Sequence, residues 1–170
     1  LLLGCARKIP FYDKAIMKGQ WNSQSGNKMF RLREKTLGLI GFGKIGRAMV
    51  PKAKAFGLHI VVFDPYVSEK DTADYGVRLT PFDELLRSAD FMSVHVPLTG
   101  STHKLIDEKA FRKMKNTAYL INTSRGAVVD AEALARAIKE NWIAGAGLDV
   151  LPQEPPDTND PLLNQDRVIL

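Results

Sequence analysis

The sequence predicts an α/β fold: a doubly wound parallel sheet with helices on both faces, three α/β/α layers deep. Three observations predict it. Short apolar runs of strand length alternate with segments of helical period from Thr36 to the end of the chain. A glycine-rich turn, Gly41-Phe42-Gly43-Lys44-Ile45-Gly46, joins the first run to the first long helical segment. Polar residues stand at the ends of later runs, at Asp64, His95, Asn122 to Arg125 and Asp149. In a parallel sheet those positions share the carboxyl edge, where ligands gather.

Residues 1–30 form a lead-in outside the sheet. Leu2, Leu3, Ala6, Ile9, Ala15 and Ile16 predict a helix interrupted by Pro10, and a polar loop rich in Ser, Asn and Gly follows over 20–27. Residues 31–170 are expected to be the doubly wound domain. Its first strand spans 36–40, and the G-x-G-x-x-G after it is the turn of a Rossmann fold. Gly41 permits the tight turn, Gly43 leaves room for a pyrophosphate, and Gly46 lets the new helix lie close to the strand. An anion there would rest on free N–H groups at the helix start. Ile45, Met49, Ala53 and Phe56 give that helix its period, Gly57 ends it, and Pro51 inside it should kink it.

The run from His59 to Phe63 is the second strand, and it delivers Asp64 to the sheet edge. A carboxylate there accepts hydrogen bonds from ribose hydroxyls. A 2′-phosphate beside it would set like charges together, with no arginine directly following, so the cofactor expected is NAD rather than NADP. A short helix over 68–75 and a brief strand over 77–79 come next. Thr80 as cap, Pro81 at the first helical position and Asp83 as capping-box acid predict a helix to about Ser88. Strands over 91–94 and 118–122 flank a helix over 107–114. Asp130 caps a helix built on Ala131, Leu134, Ala135 and Ile138. A glycine-rich strand over 145–148 ends at Asp149, and another begins at Val168.

Composition sets the outer bounds. Of 170 residues 45% are hydrophobic and 25% charged, the balance of a soluble globular core rather than a disordered or collagen-like chain. No apolar run approaches the ~20 residues of a membrane span, and no membrane partner is expected. Leu1 to Cys5 is too short, and lacks the preceding basic segment, for a secretion signal. The absence of an initial methionine suggests a piece of something longer. Cys5 is the single cysteine, which rules out an intramolecular disulfide and fits a cytoplasmic location. The net charge of +5 is scattered rather than clustered with aromatics, so nucleic acid is not an expected partner, and no metal site is expected.

Four ordered motifs carry a family likeness: Gly41 to Gly46, His95-Val-Pro-Leu-Thr99, Asn122-Thr-Ser-Arg-Gly-Ala-Val-Val-Asp130 and Asp149-Val-Leu-Pro-Gln-Glu-Pro-Pro156. Together they resemble the NAD-binding domain of the D-isomer-specific 2-hydroxyacid dehydrogenases, a family that includes phosphoglycerate dehydrogenases and hydroxypyruvate or glyoxylate reductases. The resemblance implies that Lys44 and Ile45 meet the pyrophosphate through their backbone and that Asp64 holds the ribose. It implies that Val96 and Pro97 line the adenine side, that Thr123 and Ser124 approach the nicotinamide half, and that Asp149 binds its carboxamide. Arg125 would grip the carboxylate of a 2-keto or 2-hydroxy acid. Glu154 would raise the pKa of a histidine that donates the proton. It further implies a homodimer.

The family's catalytic histidine follows the last strand, and Leu170 stops short of that position. The family's substrate domain, from which residues 1–30 would lead in, is not represented either. His59, His95 and His103 are poor replacements for the proton donor, so these 170 residues are expected to bind cofactor with little or no turnover. Relatives of the fold also serve as NAD-sensing corepressors, which is the alternative. A nucleotide-binding protein without redox chemistry would leave Arg125, Asp149 and Glu154 without a role.

Overall fold

The computed structural model describes residues 1–21, 29–163 and 165–170. Seven parallel strands form one sheet in the order β3-β2-β1-β4-β5-β6-β7. They are β1 (Thr36–Ile40), β2 (His59–Phe63), β3 (Arg78–Leu79), β4 (Phe91–Val94), β5 (Tyr119–Asn122), β6 (Gly145–Leu148) and β7 (Val168–Ile169). The helices are α1 (Leu2–Arg7), α2 (Ile9–Met17), α3 (Lys44–Ala55), α4 (Glu69–Ala73), α5 (Phe82–Ser88), α6 (Glu108–Lys113) and α7 (Ala131–Lys139). The strand order reverses direction between β1 and β4, which opens a crevice at the carboxyl edge of those two strands.

Alternation along each strand divides the core into two faces. Leu37 and Leu39 of β1, Ile60 and Val62 of β2, and Tyr119 and Ile121 of β5 join Cys5, Val50 and Ala53 on the α1 and α3 side. Ile40, Val61, Met92 and Leu120 join Leu85, Phe111 and Leu134 on the side of α5, α6 and α7. Three layers follow directly. On β6, Gly147 faces α1: a Cβ there would come within 3.2 Å of the Cys5 sulfur. The missing side chain at Gly147 is what allows α1 to lie against β6.

Several local expectations change. The lead-in is two helices, and the break falls at Lys8, which is left-handed at φ 53, while Pro10 sits in the first turn of α2. A proline suits that position, because the first N–H groups of a helix have no partner within it. Most of the expected polar loop over 20–27 lies outside the described residues. Thr80 does not cap α5: its hydroxyl is buried and donates to the Val62 carbonyl at 3.3 Å, and Pro81 takes the N-cap place. Asp83 pairs instead with Lys113 at 2.7 Å. In α3 the core-facing residues are Gly46, Val50 and Ala53, whereas Ile45 and Phe56 are exposed. Pro51 lies on the exposed side of α3 and the helix continues through it to Ala55. Asp107 and Asp130 cap α6 and α7, each accepting a backbone N–H three residues ahead.

Candidate cofactor and substrate site

The glycine turn is built by three separate constraints. Gly41 has φ +95, and a Cβ there would meet the His95 carbonyl oxygen at 2.8 Å. A Cβ on Gly46 would lie 2.3 Å from the Gly41 oxygen, so only glycine lets α3 start this close to β1. Gly43 is different: a Cβ there would meet nothing within 4 Å. It is the N-cap of α3, and no side chain caps that helix. The N–H groups of Lys44, Ile45 and Gly46 therefore have neither an intrahelical nor a side-chain acceptor. They form an open, positively polarised ledge suited to an anion.

Asp64 stands beside this ledge at the end of β2. One carboxylate oxygen accepts the Phe42 N–H at 2.8 Å, and the other accepts the Tyr66 N–H at 2.9 Å. The acid thus fixes the turn as well as facing the crevice, a role the sequence does not announce. Arg47 braces the same turn from outside. Its Nε donates to the Phe42 carbonyl at 3.0 Å, and its guanidinium lies over the Phe42 and Tyr75 rings, 5.3 and 5.6 Å from their centroids.

On the far side of the crevice, Val96 and Pro97 continue from β4. Thr102 holds their loop by donating to the Pro97 carbonyl at 2.6 Å and accepting the Thr99 N–H at 2.8 Å. His95 leads into this segment, with Nε2 2.9 Å from the buried Ser93 hydroxyl. Burial holds its pKa below the usual histidine value. A neutral, engaged ring is a poor proton donor.

After β5 the chain makes a tight loop through Thr123, Ser124 and Arg125. Asn122, fully buried, accepts the Ser124 N–H and hydroxyl at 3.0 and 2.9 Å and donates to the Arg125 carbonyl at 3.0 Å. Arg125 is exposed, and its guanidinium donates to the Ser124 carbonyl at 2.7 Å. Gly126 follows because a Cβ there would sit 2.0 Å from the Leu151 carbonyl carbon. That contact brings the segment after β6 against the β5 loop. Asp149 opens this segment, exposed, with its N–H on the Asn122 carbonyl at 2.9 Å. Glu154 accepts the Leu151 N–H at 2.9 Å through one oxygen, which closes the segment into a compact turn. Arg47 is the contributor that sequence reasoning passed over, while Asn122 and Gly126 are legible as members of a motif without the contacts they make here. For Gly126 the Arg-Gly pair itself is the available signal.

The sheet places Gly41, Gly43, Lys44, Ile45, Gly46, Asp64, Val96, Pro97, Thr123, Ser124, Arg125 and Asp149 after the carboxyl ends of five neighbouring strands, β2, β1, β4, β5 and β6. A cavity by the lead-in helices, about 280 Å³ and lined by Cys5, Phe11 and Tyr119, lies at the opposite, amino edge. The crevice is an open ledge rather than an enclosed pocket.

The family model for the D-isomer-specific 2-hydroxyacid dehydrogenase NAD-binding domain matches residues 1–170. The chain belongs to this family. It is 44% identical over 173 residues to a glyoxylate reductase of Korarchaeum cryptofilum, covering 100% of this chain and 52% of that protein. It is 41% identical to a D-3-phosphoglycerate dehydrogenase of Archaeoglobus fulgidus, covering 99% of this chain and 32% of that one. Among solved structures, D-lactate dehydrogenase with NAD+ from Lactobacillus jensenii superposes with a TM-score of 0.87 at 33% identity, covering 99% of this chain and 54% of that one. The chain spans about half the length of the glyoxylate reductase it matches. The cofactor of this family's domain fits the ledge: Gly43 leaves the space, uncapped N–H groups face it, and Asp64 stands beside it.

Proposed function

We propose that the protein to which these residues belong is an NAD-dependent oxidoreductase interconverting a 2-keto acid and a D-2-hydroxy acid, with glyoxylate-sized acids as the substrate class. The observation that carries this reading is an exposed arginine, Arg125, on the β5 loop of the same sheet edge that presents the glycine ledge and Asp64. NAD, when bound, supplies or accepts the hydride. Arg125 offers a planar fork to a carboxylate, and its positive charge stabilises negative charge developing on the neighbouring oxygen. Ser124 and Thr123 face the nicotinamide side, Asp149 its carboxamide, and Val96 with Pro97 the adenine side. Lys44, Ile45 and the glycines take the pyrophosphate, and Asp64 takes the ribose and prefers NAD to NADP. Glu154, with one oxygen on Leu151, keeps the other for the histidine of the parent protein that donates the proton.

The relatives reported above are named as a reductase and dehydrogenases, which favours the enzyme over the NAD-sensing alternative. Residues 1–30 lead in from the substrate domain of the parent, and residues 31–170 form the cofactor domain. The assembly proposed is a homodimer, supported by Ile9, Ile16, Met17 and Trp21 on and after α2, all more than half exposed or at that limit. Among the described residues no helix is long and apolar enough to cross a membrane, and the location proposed is the cytoplasm.

The test has two arms. The thermal midpoint of the chain is measured with NADH and with NADPH; at a hundredfold excess over Kd, binding adds about 2.7 kcal/mol, or roughly 5–10 °C. A rise with NADH and little with NADPH is expected. The full-length protein is then assayed for NADH oxidation with glyoxylate. NADH binding without turnover on glyoxylate or larger 2-keto acids would refute the enzyme reading while leaving the cofactor site standing.

A further inference from the structure

Asn122 closes β5 and is 1% exposed, one of few polar side chains in the core. Its side-chain hydrogen bonds all lead to one loop. Oδ1 accepts both the backbone N–H and the hydroxyl of Ser124, Nδ2 donates to the Arg125 carbonyl, and its own carbonyl accepts the Asp149 N–H. The amide can adopt only this orientation, because Ser124 N–H is a donor and the Arg125 carbonyl an acceptor. Behind it, the space bounded by Gly126, Leu148 and Pro152 holds only about 10 Å³. That is at the limit of what one water needs, so the amide has nowhere to swing and no solvent to replace its partners.

The other side of the loop is closed as well, by Leu151 and Pro152 lying against Gly126. Between these walls the Asn122 side chain ties Ser124 to Arg125, and its backbone carbonyl holds Asp149 beside them. These are the groups assigned to the nicotinamide half and the substrate carboxylate. We propose that Asn122 is a positioning residue: it sets the nicotinamide-side loop and the substrate arginine in their working arrangement without touching either ligand. The proposal rests on the functional reading above. It predicts an effect confined to one half of the cofactor, since the glycine ledge and Asp64 belong to β1, α3 and β2 and share no hydrogen bond with Asn122.

The experiment compares NADH with ADP-ribose, which lacks the nicotinamide, on the chain and on Asn122→Leu and Asn122→Asp. The unaltered chain is expected to bind NADH more tightly than ADP-ribose. Asn122→Leu removes every side-chain bond and is expected to weaken NADH about tenfold while ADP-ribose stays within about twofold. Asn122→Asp keeps the acceptor for Ser124 and loses the donor to Arg125, so its NADH affinity should fall between the two. Should the leucine variant fail to fold, the aspartate variant carries the same comparison. Equal weakening of both probes, or of neither, would overturn the proposal by showing that Asn122 serves only the fold or nothing at all. An unaltered chain that binds neither probe would instead overturn the functional reading. One that binds both equally would overturn this inference, because no nicotinamide contribution would exist to be positioned.

Discussion

Asp64 joins two jobs in one carboxylate. Its bond to the Phe42 N–H fixes the turn that makes the anion ledge, and the same group is the proposed discriminator against a 2′-phosphate. A charged acceptor on a backbone donor contributes about 1.5–3 kcal/mol, and removing it leaves the Phe42 N–H without its partner. Asp64→Ala should therefore lower stability by about 1–3 kcal/mol and also narrow the NADH to NADPH affinity ratio toward one. Chemical denaturation and paired titrations with the two cofactors separate the effects. An unchanged ratio with lowered stability would leave Asp64 a turn brace alone. This residue was half legible in the sequence: its place after a buried strand pointed to the crevice, but its bond to the turn depends on β1 and β2 lying side by side. Asn122 shows the same limit more sharply. A lone Asn at a strand end carries no local sign that its amide will tie together two further residues while its backbone carbonyl holds a neighbouring strand's first loop residue.

The glycine turn illustrates how much an element reveals of itself. Gly43 and Gly46 look alike in the sequence, yet their surroundings make opposite predictions. Gly43→Ala places a methyl in open space at a helix N-cap, where the change costs at most about 1 kcal/mol. Its stability should be near that of the unaltered chain, while NADH binding should be lost because the methyl occupies the pyrophosphate's approach. Gly46→Ala forces a methyl to 2.3 Å from a backbone oxygen, so the helix must move off the strand. We expect a loss of more than about 2 kcal/mol of stability, seen by urea unfolding before any ligand is added. Similar stabilities for the two variants would contradict the assigned roles. Strand positions were legible almost residue by residue, because runs such as Leu37 to Ile40 and Ile60 to Val62 are buried on both faces, with Gly41 just after the first and Gly57 shortly before the second. Helix faces were less so. In α3 the periodicity was right, but the strongly apolar Ile45 and Phe56 suggested the wrong face. Close packing on β1 selects small Gly46 and Ala53, and size is invisible to a hydrophobic pattern. Thr80 was misassigned for a related reason: β2 offers its hydroxyl a carbonyl that no local window contains.

Across the whole molecule, the perturbed ionisable groups give a stability profile with two edges. His95 has its folded pKa lowered by burial, below the ordinary 6.5. As pH falls past 6.5 the unfolded chain takes up a proton that the folded one resists, so this contribution is complete above 6.5 and lost on acidification. Asp130 behaves alike at lower pH. Burial alone would raise its pKa, but the Ala133 N–H and the Lys104 ammonium together outweigh it, and the net shift is below 3.8. Asp83, through its bond to Lys113, and Asp71, through Ser68, shift the same way, but both lie at the surface where solvent screens them, so they contribute less. The alkaline edge has the opposite sign. Burial pushes the Cys5 thiol up to about 11 and the Tyr119 hydroxyl up to about 12, so stability is present at neutral pH and lost as pH rises beyond their unfolded values of 9.0 and 10.0. The prediction is a plateau from roughly pH 6.5 to 9, with acid loss in two stages and alkaline loss beyond it. His95→Gln should abolish the first acid stage and leave the second, because an amide can still meet the Ser93 hydroxyl but cannot take up the proton. Urea unfolding at a series of pH values distinguishes the cases. If both proteins hold their stability down to the carboxylate range and then fall together, His95 protonates as freely in the folded chain as in the unfolded one. The adenine-side wall would then be more open to water than its bond to buried Ser93 requires.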